Sequence, residues 1–284
     1  MTERVLIAGC GDLGTRLAHR LLARGAEVWA LRRQPPTEED TPANTARAIH
    51  WLQADLTQPQ SLSNLPSTLT QVVYTPTPGA RSPDAYRAVF QDGLISLLRA
   101  LDQSSLKKVL FVSSTAVYGE HHGDWIDETT PANPSGFNGR ILLETEHWLA
   151  DQAFSSVSLR LAGLYGPGRL QLLERLRAGS ASAPIDPIHW ANRIHIDDAA
   201  SAADHLLAYE QTESVYIGSD GTPLPLHVLY AYLADLIHAK APAEGPPPAN
   251  VGSKKMRNSR LIATGWTPQW PDARMGYQTL IQAS

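Results

Sequence analysis

One cysteine in 284 residues, Cys10, leaves no partner for an intramolecular disulfide and too few thiolates for a cysteine-based zinc site. No apolar run approaches the roughly 20 residues that a membrane span needs, and the first residues lead into a strand pattern without a signal peptide's apolar core and cleavage site. The expectation is a cytoplasmic protein with no membrane partner. A basic excess is also missing: 24 Lys and Arg face 28 Asp and Glu, for a net charge of -4 and a pI near 6.2. That balance argues against an electrostatic footprint for nucleic acid. No cluster of His, Asp and Glu shows helical ligand spacing, so no metal is expected. Lysine is scarce. Lys107, Lys108, Lys240, Lys254 and Lys255 are the whole set, and none follows a tyrosine by four residues.

What the chain does have is an apolar fraction of 43%, sufficient for a sizeable core, and a glycine-rich turn near its start. Val5, Leu6, Ile7 and Ala8 read as a buried parallel strand. Gly9, Gly11 and Gly14 then form a G-x-G-x-x-G turn, and Leu13, Leu17, Leu21 and Leu22 repeat at helical spacing. Gly25 stands where a helix C-terminal glycine would, before a second strand at Glu27 to Leu31. In such a unit Gly9 permits the tight turn, Gly11 lets the backbone approach a pyrophosphate, and Gly14 allows close packing of helix on strand. The helix N-terminus, at Asp12 and Leu13, offers amides and a partial positive charge to phosphates. The pattern predicts a bound dinucleotide. Cys10 occupies a variable position of the turn, which argues against a nucleophilic role.

Further along, Pro35, Pro36 and the polar stretch to Asn44 read as a loop. Ile49 to Ala54 and Gln71 to Thr75 read as strands, Lys107 to Ser113 and Val157 to Leu161 as two more. Long helices are expected between Asp84 and Gln103 and from Ile141 to Phe154. Strands alternating with helices over about 160 residues predict an α/β fold, a Rossmann-type doubly wound parallel sheet, with ligand at the carboxyl ends of its strands. Beyond Gly166 the pattern loosens into helices at Leu170 to Ala178, Asp197 to Tyr209 and Leu224 to His238, a strand at Ser214 to Ile217, and a proline tract, Pro242 to Pro248, that reads as a linker or lid. The expected division is a dinucleotide domain over 1–165 and a small substrate-facing C-terminal lobe over 166–284, with 191–218 returning to the sheet.

After the second strand an NAD enzyme would place an acidic residue to grip the ribose hydroxyls, and this chain has Arg32 and Arg33 instead. Their guanidinium forks suit phosphate, so NADP is favoured over NAD; the competing reading is a solvated arginine pair. Asp55 closes the third strand at the same edge, where its carboxylate can accept from an adenine amino group or cap the next turn.

These motifs resemble, in order, those of the extended short-chain dehydrogenase/reductase superfamily of NAD(P)-dependent epimerases and dehydratases. The residues that carry the resemblance are Val5 to Gly14, Ala54-Asp55-Leu56, Phe111 to Gly119, Leu159 to Pro167, Arg193 to Asp198 and Val215 to Gly218. Ser113 to Gly119 with Asn138-Gly-Arg140 and Leu161-Ala-Gly-Leu resembles its YeeZ-like subgroup. The resemblance implies a nucleotide-sugar or other small-molecule substrate, a homodimer, and cofactor contacts from Leu56, Thr75, Pro76, Thr77 and Leu161.

It also implies a catalytic serine, matched here by Ser114, and a tyrosine with a lysine one helical turn later, whose charge lowers the phenol's pKa. Phe137 and Ile141 stand at those two positions, and neither can transfer a proton. Tyr118 is a weaker candidate for the acid/base. Arg140 reads equally as an anion ligand or a surface residue, and His195 with Asp197 or Asp198 as a relay or, preferably, an anchor. Trp125, Trp190 and Trp266 read as pocket walls or core. Two functions remain: an oxidoreductase or epimerase that uses Ser114 with an unconventional acid/base, or a dinucleotide-binding sensor that has lost turnover.

Overall fold

The computed structural model describes residues 2–37 and 49–282, so the part of the expected loop beyond Thr37 lies outside the described residues. A seven-stranded sheet takes strands β1 (Arg4–Ala8), β2 (Glu27–Arg32), β3 (Ile49–Gln53), β4 (Gln71–Tyr74), β5 (Lys108–Ser114), β6 (Ser155–Leu161) and β7 (Val215–Gly218). Their order is β7-β6-β5-β4-β1-β2-β3. The pairs β1–β2, β1–β4, β2–β3 and β4–β5 are parallel. The order reverses between β1 and β4, and a doubly wound sheet binds ligand at that switch point, beyond the carboxyl ends of the strands.

By compactness the chain divides into two units, and not at residue 165. The first holds Met1–Ser113, Ile141–Leu159 and Ala203–Ser214; the second holds Ser114–Arg140, Arg160–Ala202 and Val215–Ser284.

In the first unit Val5, Leu6, Ile7 and Ala8 are wholly buried, and each large side chain so placed contributes about 1.5–3 kcal/mol. Helix α1 (Asp12–Ala23) buries Leu13, Gly14, Leu17, Ala18 and Leu21, a single stripe at helical spacing. It ends because Gly25 adopts φ +89°, with Gly25 N donating to Leu22 O and Ala26 N to Leu21 O, the paired bonds of a Schellman cap. The expected long helix after β4 is three segments: α2 (Pro83–Tyr86), a π-helical turn (Arg87–Gly93) and α3 (Leu94–Ala100). Lys108 ties β5 to the 203–214 segment, its Nζ donating to Leu206 O at 2.9 Å and Tyr209 O at 2.5 Å.

The second unit has its own core. Leu173 and Leu176 of the helix Gln171–Arg177, Leu229 and Leu233 of the helix Leu226–Leu236, and Tyr277 and Leu280 of the helix Ala273–Gln282 pack together. Short strand pairs lace its loops. Gly163–Tyr165 pairs with Arg193–His195, and Trp125–Ile126 with Lys255–Met256. The proline tract is not a plain linker: Ala243–Glu244 pairs with Ser182–Ala183, and Gly245 N donates to Ala183 O.

Candidate functional site

In the first unit a cavity of about 720 Å³ opens where β1 to β4 end. The glycine turn forms one wall. Gly9 has φ +84°, and a Cβ there would fall on the Cα and N of Pro76, so only glycine fits both the conformation and the contact. Gly11 is different: its backbone is extended (φ -89°, ψ -151°) and nothing lies within 4 Å of where a Cβ would stand. Gly11 immediately precedes α1 and, having no side chain, caps none of its first-turn amides. First-turn amides of a helix lack intrahelical acceptors, and with the helix dipole they favour an anion there. The residues present therefore fit the pyrophosphate of a dinucleotide. Gly14 serves packing, since a Cβ would stand 3.1 Å from Ile7 Cγ2 and 3.2 Å from Cys10 Sγ.

Eight of the residues expected at the cofactor line this cavity: Gly9, Gly11, Arg32, Arg33, Asp55, Leu56, Pro76 and Thr77. Five do not. Asp12 accepts from Arg16 Nε at 2.8 Å along the helix surface, Leu13 and Gly14 turn into the core, and Thr75 N donates to Ala8 O. Leu161 belongs to the second unit. Asp55 takes the turn-capping alternative, its Oδ1 accepting from Thr57 N at 2.9 Å and Thr57 Oγ1 at 2.8 Å. Those bonds, the backbone one foremost, hold its carboxyl below the usual range, with the Arg33 charge assisting. Cys10 is buried, which pushes its thiol up to about 11 and leaves no thiolate for chemistry.

The cavity also uses residues the sequence reading missed. Gln34, Thr57 and Gly79 come from the strand-end loops, and Ala85, Ala88 and Val89 from the helical segment after β4. The signal for the last group was the small residues at Ala85 and Ala88, three apart and so on one helical face.

The expected chemistry falls on the second unit. Ser114, the last residue of β5, caps the short helical turn Thr115–Val117, its Oγ accepting from Ala116 N at 3.2 Å. Tyr118, the weaker acid/base candidate, is buried. It is 1% exposed, Arg160 Nη1 donates to its Oη at 2.7 Å, and that Oη donates to Asp127 O at 3.1 Å. Phe137 opens α4 (Phe137–Ala150), four residues earlier than expected, and Ile141 follows one turn on. The two positions at which the resemblance implies tyrosine and lysine thus lie in the first turns of α4, and neither side chain titrates. Arg140 is exposed and reaches Ser135 O at 3.4 Å, a surface role.

His195 and Asp198 are anchors. Asp198, 2% exposed, accepts from Gln269 N at 2.8 Å and Trp270 N at 3.0 Å. The His195 ring lies 3.8 Å from that of Trp270, and its Nδ1 accepts from Asp197 N. Trp266 is core, donating to Ser201 Oγ; Trp125 is 45% exposed, and Lys255 Nζ lies over both its ring and that of Trp190.

Among the described residues no group of three or more His, Cys, Asp or Glu side chains is placed to hold a metal ion. None of the helices there is long and apolar enough to cross a membrane.

Comparison with known proteins places this geometry. The family model described as "NAD dependent epimerase/dehydratase family" matches residues 5–218. Protein YeeZ of Escherichia coli K12 is 30% identical over 274 residues, covering 95% of this chain and 97% of its own. The solved structure of a Methylobacillus flagellatus protein described as an NAD-dependent epimerase/dehydratase is 39% identical, with a TM-score of 0.81 over 100% of this chain and 99% of that one. The UDP-glucose 4-epimerase of Thermus thermophilus, solved with NAD, shares the fold at a TM-score of 0.81 and 23% identity over 98% of both chains. The match spans most of the chain and includes the glycine turn, Ser114 and the Arg193 to Asp198 run, and the chain belongs to the NAD dependent epimerase/dehydratase family.

Proposed function

We propose that this protein binds NADP in the cavity of its first unit and acts as an oxidoreductase or epimerase on a small carbonyl compound or nucleotide sugar. The cavity carries the reading: a glycine turn open above Gly11 and the pair Arg32–Arg33 border the same space, with no acidic side chain at the end of β2 to grip a ribose diol. Gly11 and the start of α1 would hold the pyrophosphate, and Arg32 and Arg33 the 2′-phosphate, by charge-assisted hydrogen bonds. When bound, the dinucleotide supplies hydride chemistry. The Ser114 hydroxyl, at a strand's carboxyl end, orients a substrate oxygen by donating to it while accepting from Ala116 N. Nucleotide sugar as the substrate class is supported by relatives such as the UDP-glucose 4-epimerase of Lacticaseibacillus casei, 24% identical over 96% of this chain.

One observation favours a second reading. Phe137 and Ile141 replace both proton-handling residues, and the phenol of Tyr118 is committed to Arg160 and Asp127. A protein so built can bind the dinucleotide as a sensor without turning it over. The test is to incubate the protein with NADP or NADPH and a panel of nucleotide sugars and small carbonyl compounds, following nicotinamide absorbance and sugar identity. Turnover supports the enzyme; tight cofactor binding with no change in either readout supports the sensor.

A further inference from the structure

The π-helical turn Arg87–Gly93 borders the cavity and is held from two sides by contacts that helix formation does not require. From below, the wholly buried Tyr74 at the end of β4 donates from Oη to Val89 O at 2.5 Å, the backbone carbonyl of a cavity-lining residue inside the π turn. From the side, Gly93 closes the turn where no Cβ fits comfortably. An added Cβ would stand 2.9 Å from Tyr74 Oη, 3.0 Å from Leu56 O and 3.1 Å from Ala88 O. The same three neighbours thus converge on one point, and Leu56, Ala88 and Val89 are all cavity wall. Aromatic packing backs the arrangement, with Phe111 against both Tyr74 and Phe90.

A π turn inserts an extra residue into a helix and re-aims the side chains around it, and such turns recur at functional sites. The Tyr74 hydroxyl adds a buried bond to the Val89 carbonyl in this dry setting, and losing that bond would loosen the π turn. Burial also raises the phenol's pKa, keeping it a neutral donor. Leu56 follows β3, whose Gln53 pairs with Arg32 of β2, so the wall that meets Leu56 stands beside the strand ends where the 2′-phosphate and adenosine would lie.

We infer that Tyr74 is a positioning residue for the adenosine half of the dinucleotide: its hydroxyl holds the π turn that carries Ala88 and Val89 to the cavity wall. The inference rests on reading this cavity as the cofactor site. The test is calorimetric titration of wild type, Tyr74→Phe and Gly93→Ala with NADPH, adenosine 2′,5′-bisphosphate and nicotinamide mononucleotide, alongside thermal melts. Both variants should bind NADPH and the bisphosphate about tenfold more weakly, the scale of one buried hydrogen bond, with mononucleotide binding unchanged. A merely structural tyrosine would lower the melting temperature and leave the folded protein's affinities alone. Gly93→Ala crowds the same contact while leaving the hydroxyl in place, so agreement between the variants identifies the turn. A wild-type protein that binds both adenine ligands, with variants that bind them equally well, overturns the inference alone. A wild-type protein that binds none of the three overturns the cofactor reading and the inference with it.

Discussion

The two units of this chain treat their glycines and charges differently. In the first, Gly9 is filled in by Pro76 but Gly11 opens on empty space, and Arg32 and Arg33 border a cavity. In the second, polar groups are spent on backbone. Glu120 accepts from Ser253 N with both oxygens, Asp198 from Gln269 N and Trp270 N, and Lys254 Nζ donates to Gly119 O and Gly252 O. Burial there pulls the Lys254 ammonium down to about 8. Around its cavity the first unit leaves Gly11 and the two arginines bordering open space, whereas these polar groups of the second unit tie a C-terminal segment to its loops.

The sharpest way to break that contrast is at the glycine turn. Gly11→Val should abolish dinucleotide binding, by more than about 10²-fold, and leave the melting temperature within about 2 °C, because its backbone suits any residue and its surroundings are open. Gly9→Ala should do the reverse and lower stability by about 2 kcal/mol or more through the Pro76 clash and positive φ. Paired melts and titrations check both, and Gly11→Val with wild-type affinity would move the pyrophosphate elsewhere.

Where turnover is found, Ser114→Ala should lower kcat by about 10²-fold, the scale of an oriented hydrogen-bonding group at the reacting centre. Full activity in that variant would remove Ser114 from the chemistry. Asp198→Ala leaves two amides of the 269–270 segment without their acceptor and should destabilise the protein by about 3 kcal/mol, measured by denaturant unfolding. A neutral result would mean that the anchor is redundant.

A pH dependence comes from Asp220, whose carboxyl burial lifts from 3.8 to about 8 while Thr222 N bonds it. Across that window the folded chain holds a proton the unfolded chain has released, so stability falls as pH rises from about 4 to about 8 and then levels. Asp220→Asn should flatten the decline in melting temperature; an unchanged slope would assign it to other groups.

How far the sequence revealed these features depends on the range of the interactions. The glycine turn, α1 and its Gly25 cap are set by neighbours in the chain, and all were visible as spacing. Helix α4 begins at Phe137 rather than Ile141 because Gly139, a poor helix former, is accepted for its approach to the Ala116 carbonyl. The π turn was hidden because Val89, Phe90, Leu94 and Leu97 satisfy an ordinary helical period. Two-residue strands such as Ala243–Glu244 are too short to show any period. Asp198 reaches amides 71 and 72 residues away, a pairing no local pattern announces. Of the site, the cavity's glycines and arginines were legible, and the fates of Tyr118 and Asp55 needed their partners in space.

The central claim is that Arg32 and Arg33 border a site built for a 2′-phosphate. Calorimetric titration of the wild-type protein with NADPH and with NADH tests it most directly. NADPH should bind at least about tenfold more tightly, as one or more added charge-assisted contacts would give. Equal affinities, or tighter binding of NADH, would contradict it.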